Sequence, residues 1–227
     1  MTSTRPLVAL ISATPAAISP ATSGLTRQFP EATAWNILDD RLLKDADAQG
    51  GVTPPLEERM GRLIEHALLE GADAVLLTCS LYGPVARAHV GSGAPVIAAD
   101  DAAFDTVISG GFPRVLMLAS FDAALEDGRR RFVQAAADAG TSPEVTGTVA
   151  AGAFDAALTG DDETVLAALD EACRPFVGQV DVVLLAQYSL ASVAEQLSQR
   201  LGVPVVAGPD SAARALRSRI APEGAQP

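Results

Sequence analysis

The sequence predicts an α/β protein made of two pseudo-symmetric parallel-sheet units of Rossmann-like type, with the active site expected in the cleft between them. Short apolar runs of strand length alternate with longer amphipathic stretches along all 227 residues, the pattern of repeated βα units. The apolar runs do not alternate with polar residues, which is expected of parallel strands covered by helices on both faces. The second half of the chain also echoes the first.

Taken in order, strands are expected at Leu7–Ser12, Thr33–Leu38, Ala74–Cys79 and Val96–Asp100 in the first half. In the second half they are expected at Arg114–Ser120, Val145–Val149, Val182–Gln187 and Val205–Ala207. All are read as apolar on both faces. Three helical segments stand out. In "TPPLEERMGRLIEHALLEG", Thr53 is placed to cap, Pro54 suits the first helical position, and Gly71 suits the left-handed stop. A second helix is expected over Asp122–Ala139, closed by Gly140, and a third over Asp161–Phe176. The tail "RIAPEGAQP" reads as frayed.

At an offset of about 108 residues, "DAVLLTCSL" (Asp73–Leu81) lies over "DVVLLAQYS" (Asp181–Ser189). "APVIAAD" (Ala94–Asp100) answers "VPVVAGPD" (Val203–Asp210), and "LVALISAT" (Leu7–Thr14) lies over "RVLMLASF" (Arg114–Phe121). Three matches in the same order and near-equal spacing point to duplication. The expected division is residues 1–103 with 206–227 as the first unit and 104–205 as the second.

Charge narrows the partners. With 16 basic against 28 acidic residues and a formal charge of −12, the chain has no broad basic face for phosphates or anionic headgroups, so neither nucleic acid nor membrane is expected as a partner. The apolar runs fall far short of the roughly 20 residues that span a bilayer. The N-terminus "MTSTRPLVAL" lacks a signal-peptide pattern, so a cytoplasmic chain is expected. Two cysteines in such a chain, Cys79 and Cys173, are expected as thiols.

Parallel α/β units place ligand-binding loops at the carboxyl ends of their strands. Here those loops carry small hydroxyls: Ser12, Thr14 and Ser19 after the first strand, and Thr78 and Ser80 around Cys79. In the second half they carry Ser120 and then Gln187, Tyr188 and Ser189. Hydroxyls and backbone N–H groups without a Lys or Arg cluster suit a small carboxylate better than a polyphosphate. Cys79 sits at an expected helix start, where N–H groups favour a thiolate, and polar Thr78 and Ser80 flank it in a Val and Leu stretch. The alternative is a buried cysteine filling a strand end. Cys173, inside "LDEACRPFV" and away from any such loop, reads as core filler.

Other chemistries have weaker support. Lys44 is the single lysine, so a pyridoxal Schiff base would depend on it alone. His66 and His89 lack partners at metal-ligand spacing, so no metal site is expected. His66 reads as a solvated or capping residue, and His89 as a possible base to Cys79. No G-x-x-x-x-G-K or G-x-G-x-x-G follows a strand. Asp39 with Asp40, and Asp100 with Asp101, are sequence neighbours that do not point together as dyads; the second pair suits the cap of a helix near Ala102. Arg27, Arg41 and Arg87 are candidate carboxylate clamps.

"LTCSLYGPV", with "LLKDADAQGGVTPPLEERM", "PVIAADDAAF" and "LLAQYSLAS", resembles the aspartate/glutamate/hydantoin racemase superfamily, which includes arylmalonate decarboxylases and maleate isomerases. The resemblance covers nearly the whole chain. It implies two similar α/β domains, catalysis without metal or cofactor, a small-carboxylate substrate and a possible homodimer. It also implies a catalytic role for Cys79, paired in the family's racemases with a second cysteine on the opposite face of the substrate's α-carbon. Here the matching position is Gln187, whose amide cannot exchange a proton at a useful pKa. One-sided chemistry at Cys79 is therefore expected: protonation of a carbanion or enediolate, or attack on an unsaturated carbon. The family's decarboxylases carry their one cysteine in the second half, the reverse of this chain. A small-carboxylate binding module that has lost catalysis is the alternative from another class.

Overall fold

A computed structural model describes residues 5–89, 91 and 93–220. The first parallel sheet contains β1 (Leu7–Ser12), β2 (Thr33–Leu38), β3 (Ala74–Leu77) and β4 (Val96–Ile97), in the order β2-β1-β3-β4. The second contains β5 (Arg114–Ala119), β6 (Glu144–Val149), β7 (Val182–Leu185) and β8 (Val205–Val206), in the order β6-β5-β7-β8.

The pseudo-symmetry extends to register. Val8 pairs with Ala74 and Val115 with Val182; Val75 pairs with Val96 and Val183 with Val205. Before β3, Asp73 accepts from the Leu7 N–H at 2.7 Å, and before β7, Asp181 accepts from the Arg114 N–H at 3.0 Å. The prolines preceding β1 and β5 also act alike: Thr33 N–H donates to the Pro6 carbonyl and Glu144 N–H to the Pro113 carbonyl. Polar groups outside the core thus obey the same repeat as the apolar strands.

The central strands β1, β3, β5 and β7 are buried along nearly their whole length. The expectation that every strand is apolar on both faces fails for β2 and β6, which are exposed or half-buried throughout. Both are edge strands. β3, β4, β7 and β8 also end earlier than their apolar runs, at Leu77, Ile97, Leu185 and Val206. The paired registers with β1 and β5 end at Leu77 and Leu185, so Thr78–Cys79 and Ala186–Gln187 are loop ends rather than strand.

Helices α1 (Ile18–Gln28), α2 (Leu42–Ala48), α3 (Pro54–Leu69) and α4 (Gly83–Ala88) fill the first half. Further along the chain come α5 (Asp101–Ser109), α6 (Asp122–Asp138), α7 (Ala153–Thr159), α8 (Asp162–Cys173), α9 (Ala194–Leu201) and α10 (Gly208–Ile220). Pro54 opens α3, and Gly71 and Gly140 take positive φ as left-handed stops. Thr53 makes no capping bond; its hydroxyl bonds Gln49 instead. The expected third helix shortens to α8, whose N-cap Asp161 accepts from the Thr164 N–H, and Arg174–Phe176 form a 3-10 turn because Pro175 stops the α-helix. The expected frayed tail begins in α10, since Arg219 and Ile220 are helical; Ala221–Pro227 lie outside the described residues.

Contacts divide the chain into Met1–Ala102 with Pro209–Pro227, and Ala103–Gly208. In the first unit, Gly24 on α1 meets Pro209 so closely that an added Cβ would stand 2.8 Å from Pro209 backbone. Arg27 pairs with Asp210 at 2.6 Å and Arg217 with Glu31 at 2.6 Å, which fastens α10. In the second unit, Ala103, Phe104 and Val107 of α5 join Val115, Met117 and Phe132 in a buried cluster. Phe104 meets Phe132 edge to face at 5.3 Å.

Candidate active site

In each sheet the chain leaves the two central strands in opposite directions, β1 toward β2 and β3 toward β4, and likewise β5 toward β6 and β7 toward β8. The carboxyl ends of β1 and β3, and of β5 and β7, are therefore topological switch points, where parallel α/β sheets open a crevice for ligands. The predicted site residues divide between these two places.

At the end of β1 and β3, Ser12 is wholly buried and Thr78 nearly so. The Thr78 hydroxyl donates to Ser12 Oγ at 2.9 Å, with the Ile11 carbonyl at 3.4 Å. Thr78 N–H continues the ladder to the Ile11 carbonyl at 3.0 Å, and Asp39 N–H donates to the Ser12 carbonyl at 3.0 Å. Ser12 and Thr78 thus brace the strand ends against each other. Cys79, one residue further out, is half-buried and packs against the apolar cluster that includes Tyr82 and Leu42. Thr14 and Ser80 are half-buried as well. Ser19, expected in the loop, lies exposed on α1.

Cys79 caps a three-residue 3-10 turn, Ser80–Tyr82, which leads into the six-residue α4. A segment that short gives little macrodipole, so any anion stabilisation there comes from local N–H groups. Tyr82, wholly buried, donates from its hydroxyl to the Leu42 carbonyl at 2.9 Å. Burial, with Cys79 beside it, pushes this phenol up to about 12.

Below this loop lies a charged group that sequence reasoning missed. Arg59 of α3 grips Asp39 through both Nη2 and Nε at 2.7 Å, and reaches Asp45 through Nη1 at 3.0 Å. Its position was legible in part: Arg59 stands three residues after Leu56 and one before Met60, both buried, so it falls beside the inward stripe of α3. Its partners were not legible, because Asp39 and Asp45 come from the β2–α2 connection and α2.

At the end of β5 and β7, Ser120 and Tyr188 are buried, and Gln187 and Ser189 are half-buried. Gln187 Oε1 accepts from the Ser120 N–H at 2.7 Å and from the Ser120 hydroxyl at 2.9 Å. Gln187 aligns with Cys79 by structure as well as by sequence, each standing two residues beyond the last strand residue of its unit.

The remaining candidates fall elsewhere. Arg27, Arg41 and Arg87 each pair with an aspartate: Asp210, Asp45 and Asp101 at 2.6, 3.4 and 2.9 Å. Asp40 and Lys44 are exposed and 3.9 Å apart. Asp100 is buried, whereas Asp101 opens α5. His66 is exposed and edge-on to Trp35 at 5.6 Å. His89 closes the end of α4 opposite to Cys79, its Nδ1 2.8 Å from the Val85 carbonyl, a poor place for a base to that thiol. Cys173 is buried in the second core, where desolvation, with Asp170 nearby, pushes its thiol up to about 11. Among the described residues, no group of three or more His, Cys, Asp or Glu side chains is placed to hold a metal ion, and no helix is long and apolar enough to cross a membrane.

Comparison with known proteins places this arrangement. Among solved structures, aspartate racemase of Picrophilus torridus superposes with a TM-score of 0.70 at 14% identity, over 95% of this chain and 94% of that one. Allantoin racemase from Klebsiella pneumoniae gives 0.71 at 14% identity, over 95% and 88%. An arylmalonate decarboxylase gives 0.66 at 18% identity, over 97% and 95%. At such identities these structures establish a shared fold. No curated protein matches the sequence. The sequence pattern of the Asp/Glu/hydantoin racemases, however, matches residues 16–216, and the chain belongs to that family.

Proposed function

We propose that the chain is a cofactor-independent carbon-acid enzyme acting on a small carboxylate, with Cys79 as the proton donor or acceptor. The observation that carries this reading is the asymmetry of the two switch points: a half-buried thiol at one and, at the matching place, an amide locked onto Ser120. One thiol can protonate a carbanion. An amide cannot exchange a proton at a useful pKa.

Decarboxylation of a substituted malonate suits that inventory. Loss of CO2 leaves an enediolate, the Cys79 S–H delivers its proton to the α-carbon, and the thiolate regains a proton from water. Thr14, Ser80 and adjacent backbone N–H groups would hold the enediolate oxygens, with Ser12 and Thr78 bracing the strand ends behind them. Ser120, Gln187, Tyr188 and Ser189 form the second polar set, which we assign to binding the same class of ligand. The structural neighbours include both racemases and a decarboxylase, and isomerisation through attack of Cys79 on an unsaturated carbon uses the same thiol.

Proton NMR in D2O tests the reading. Amino acids, hydantoins, substituted malonates and maleate are followed for α-hydrogen exchange, isomerisation and CO2 loss, with Cys79→Ser run beside the wild type. Turnover of one class that vanishes in Cys79→Ser is the expected result. Turnover untouched by the substitution removes Cys79 from the chemistry, and silence on every compound favours a carboxylate-binding module, which the amide at Gln187 also fits.

A further inference from the structure

The amide of Gln187 has a polarity that the structure determines. A backbone N–H can only donate, so the Gln187 atom 2.7 Å from Ser120 N must be the carbonyl oxygen. The Ser120 hydroxyl, 2.9 Å from the same oxygen, then donates to it as well. Two donors use both acceptor positions of Oε1, and what remains of the side chain is donor only. Among the described residues no atom accepts from Nε2, and Gln187 is half-buried at the carboxyl end of β7. Both donors come from one residue, which makes a rotated amide unfavourable: it would set N–H against N–H.

We infer that Gln187 Nε2 is a fixed donor for a carboxylate oxygen of the ligand, and that Ser120 is the positioning residue that sets this polarity. The inference rests on the small-carboxylate reading and deepens it. It makes the carboxyl end of β5 and β7 an anion-selective hydrogen-bond donor rather than a proton-transfer group. A carboxylate oxygen accepts without needing a hydrogen of its own, so it matches a donor-only partner, whereas an ammonium group has nothing to accept with.

The test is calorimetric titration of the full chain with malonate, and with neutral malonamide for comparison, at pH 7. Gln187→Glu is nearly isosteric: its carboxylate accepts both Ser120 bonds, but the outward donor becomes an anionic acceptor. Malonate affinity should fall at least about tenfold, the scale of one charge-assisted hydrogen bond. Ser120→Ala keeps the backbone N–H but loses the second donor, so the malonate preference over malonamide should narrow while the thermal midpoint stays close to wild type. Gln187→Glu binding malonate within twofold of wild type overturns the inference. Wild type that binds no malonate overturns it together with the carboxylate reading. Binding with the expected variant pattern but without turnover in D2O upholds the inference and removes only the catalytic reading.

Discussion

Replacing Arg59 by methionine is the sharpest test of how the Cys79 end of the first sheet is held. The substitution keeps the aliphatic stem and leaves Asp39 without its bidentate partner, while Asp45 retains only Arg41 at 3.4 Å. Removing one partner of a fully buried ion pair costs about 3–5 kcal/mol, whereas an exposed pair contributes about 0–1 kcal/mol. Side-chain exposures of 28% for Arg59, 14% for Asp39 and 26% for Asp45 place this group between those limits, so a loss of about 2 kcal/mol is expected. For a chain of this length, that corresponds to a fall in Tm of about 4–8 °C. Arg59→Lys keeps the charge but not the fork, and should lose about half as much. Urea unfolding followed by far-UV circular dichroism supplies the magnitude, and a cycle with Asp39→Asn isolates the pair, with a coupling of about 1 kcal/mol or more expected. An Arg59→Met chain within about 0.5 kcal/mol of wild type would refute the reasoning, because it would mean that solvent satisfies both carboxylates without help.

Two further outcomes follow from the same geometry. Iodoacetamide at pH 8 should label the half-buried Cys79 and leave Cys173 unmodified, because burial suppresses ionisation of the second thiol; mass spectrometry showing equal labelling of the folded chain would contradict the burial of Cys173. Tyr82, raised to about 12 by burial with Cys79 beside it, should titrate well above the usual 10 when absorbance at 295 nm is followed in a Tyr188→Phe chain, since Tyr82 and Tyr188 are the two tyrosines. Its raised folded-state pKa means that its contribution to stability is complete below about pH 10 and is lost as the pH rises through about 12. A midpoint near 10 with the chain still folded would show that the phenol is not held in the core.

The class of fold was legible in the sequence by itself, because it rests on local pattern. Continuous apolar runs such as "AVLL" and "VVLL" have few uses except as buried strands, and their recurrence at near-constant offset carries the pseudo-symmetry. The polar break after each run marked Cys79 and Gln187 without any knowledge of contacts. What needed the tertiary structure was everything set by position in the sheet or by distant partners. The exposure of β2 and β6 distinguishes them from the other edge strands, β4 and β8, which are largely buried. The ends of β3 and β7 at Leu77 and Leu185 follow from where their pairing with β1 and β5 ends, and the helix start expected at Cys79 is a three-residue 3-10 turn. Arg59 finds Asp39 20 residues away and Ser120 finds Gln187 67 residues away. Charges and amides have no periodicity that announces a partner. Their roles are fixed only when packing of the apolar faces brings the carrying loops together, and burial then makes each unpaired polar group costly.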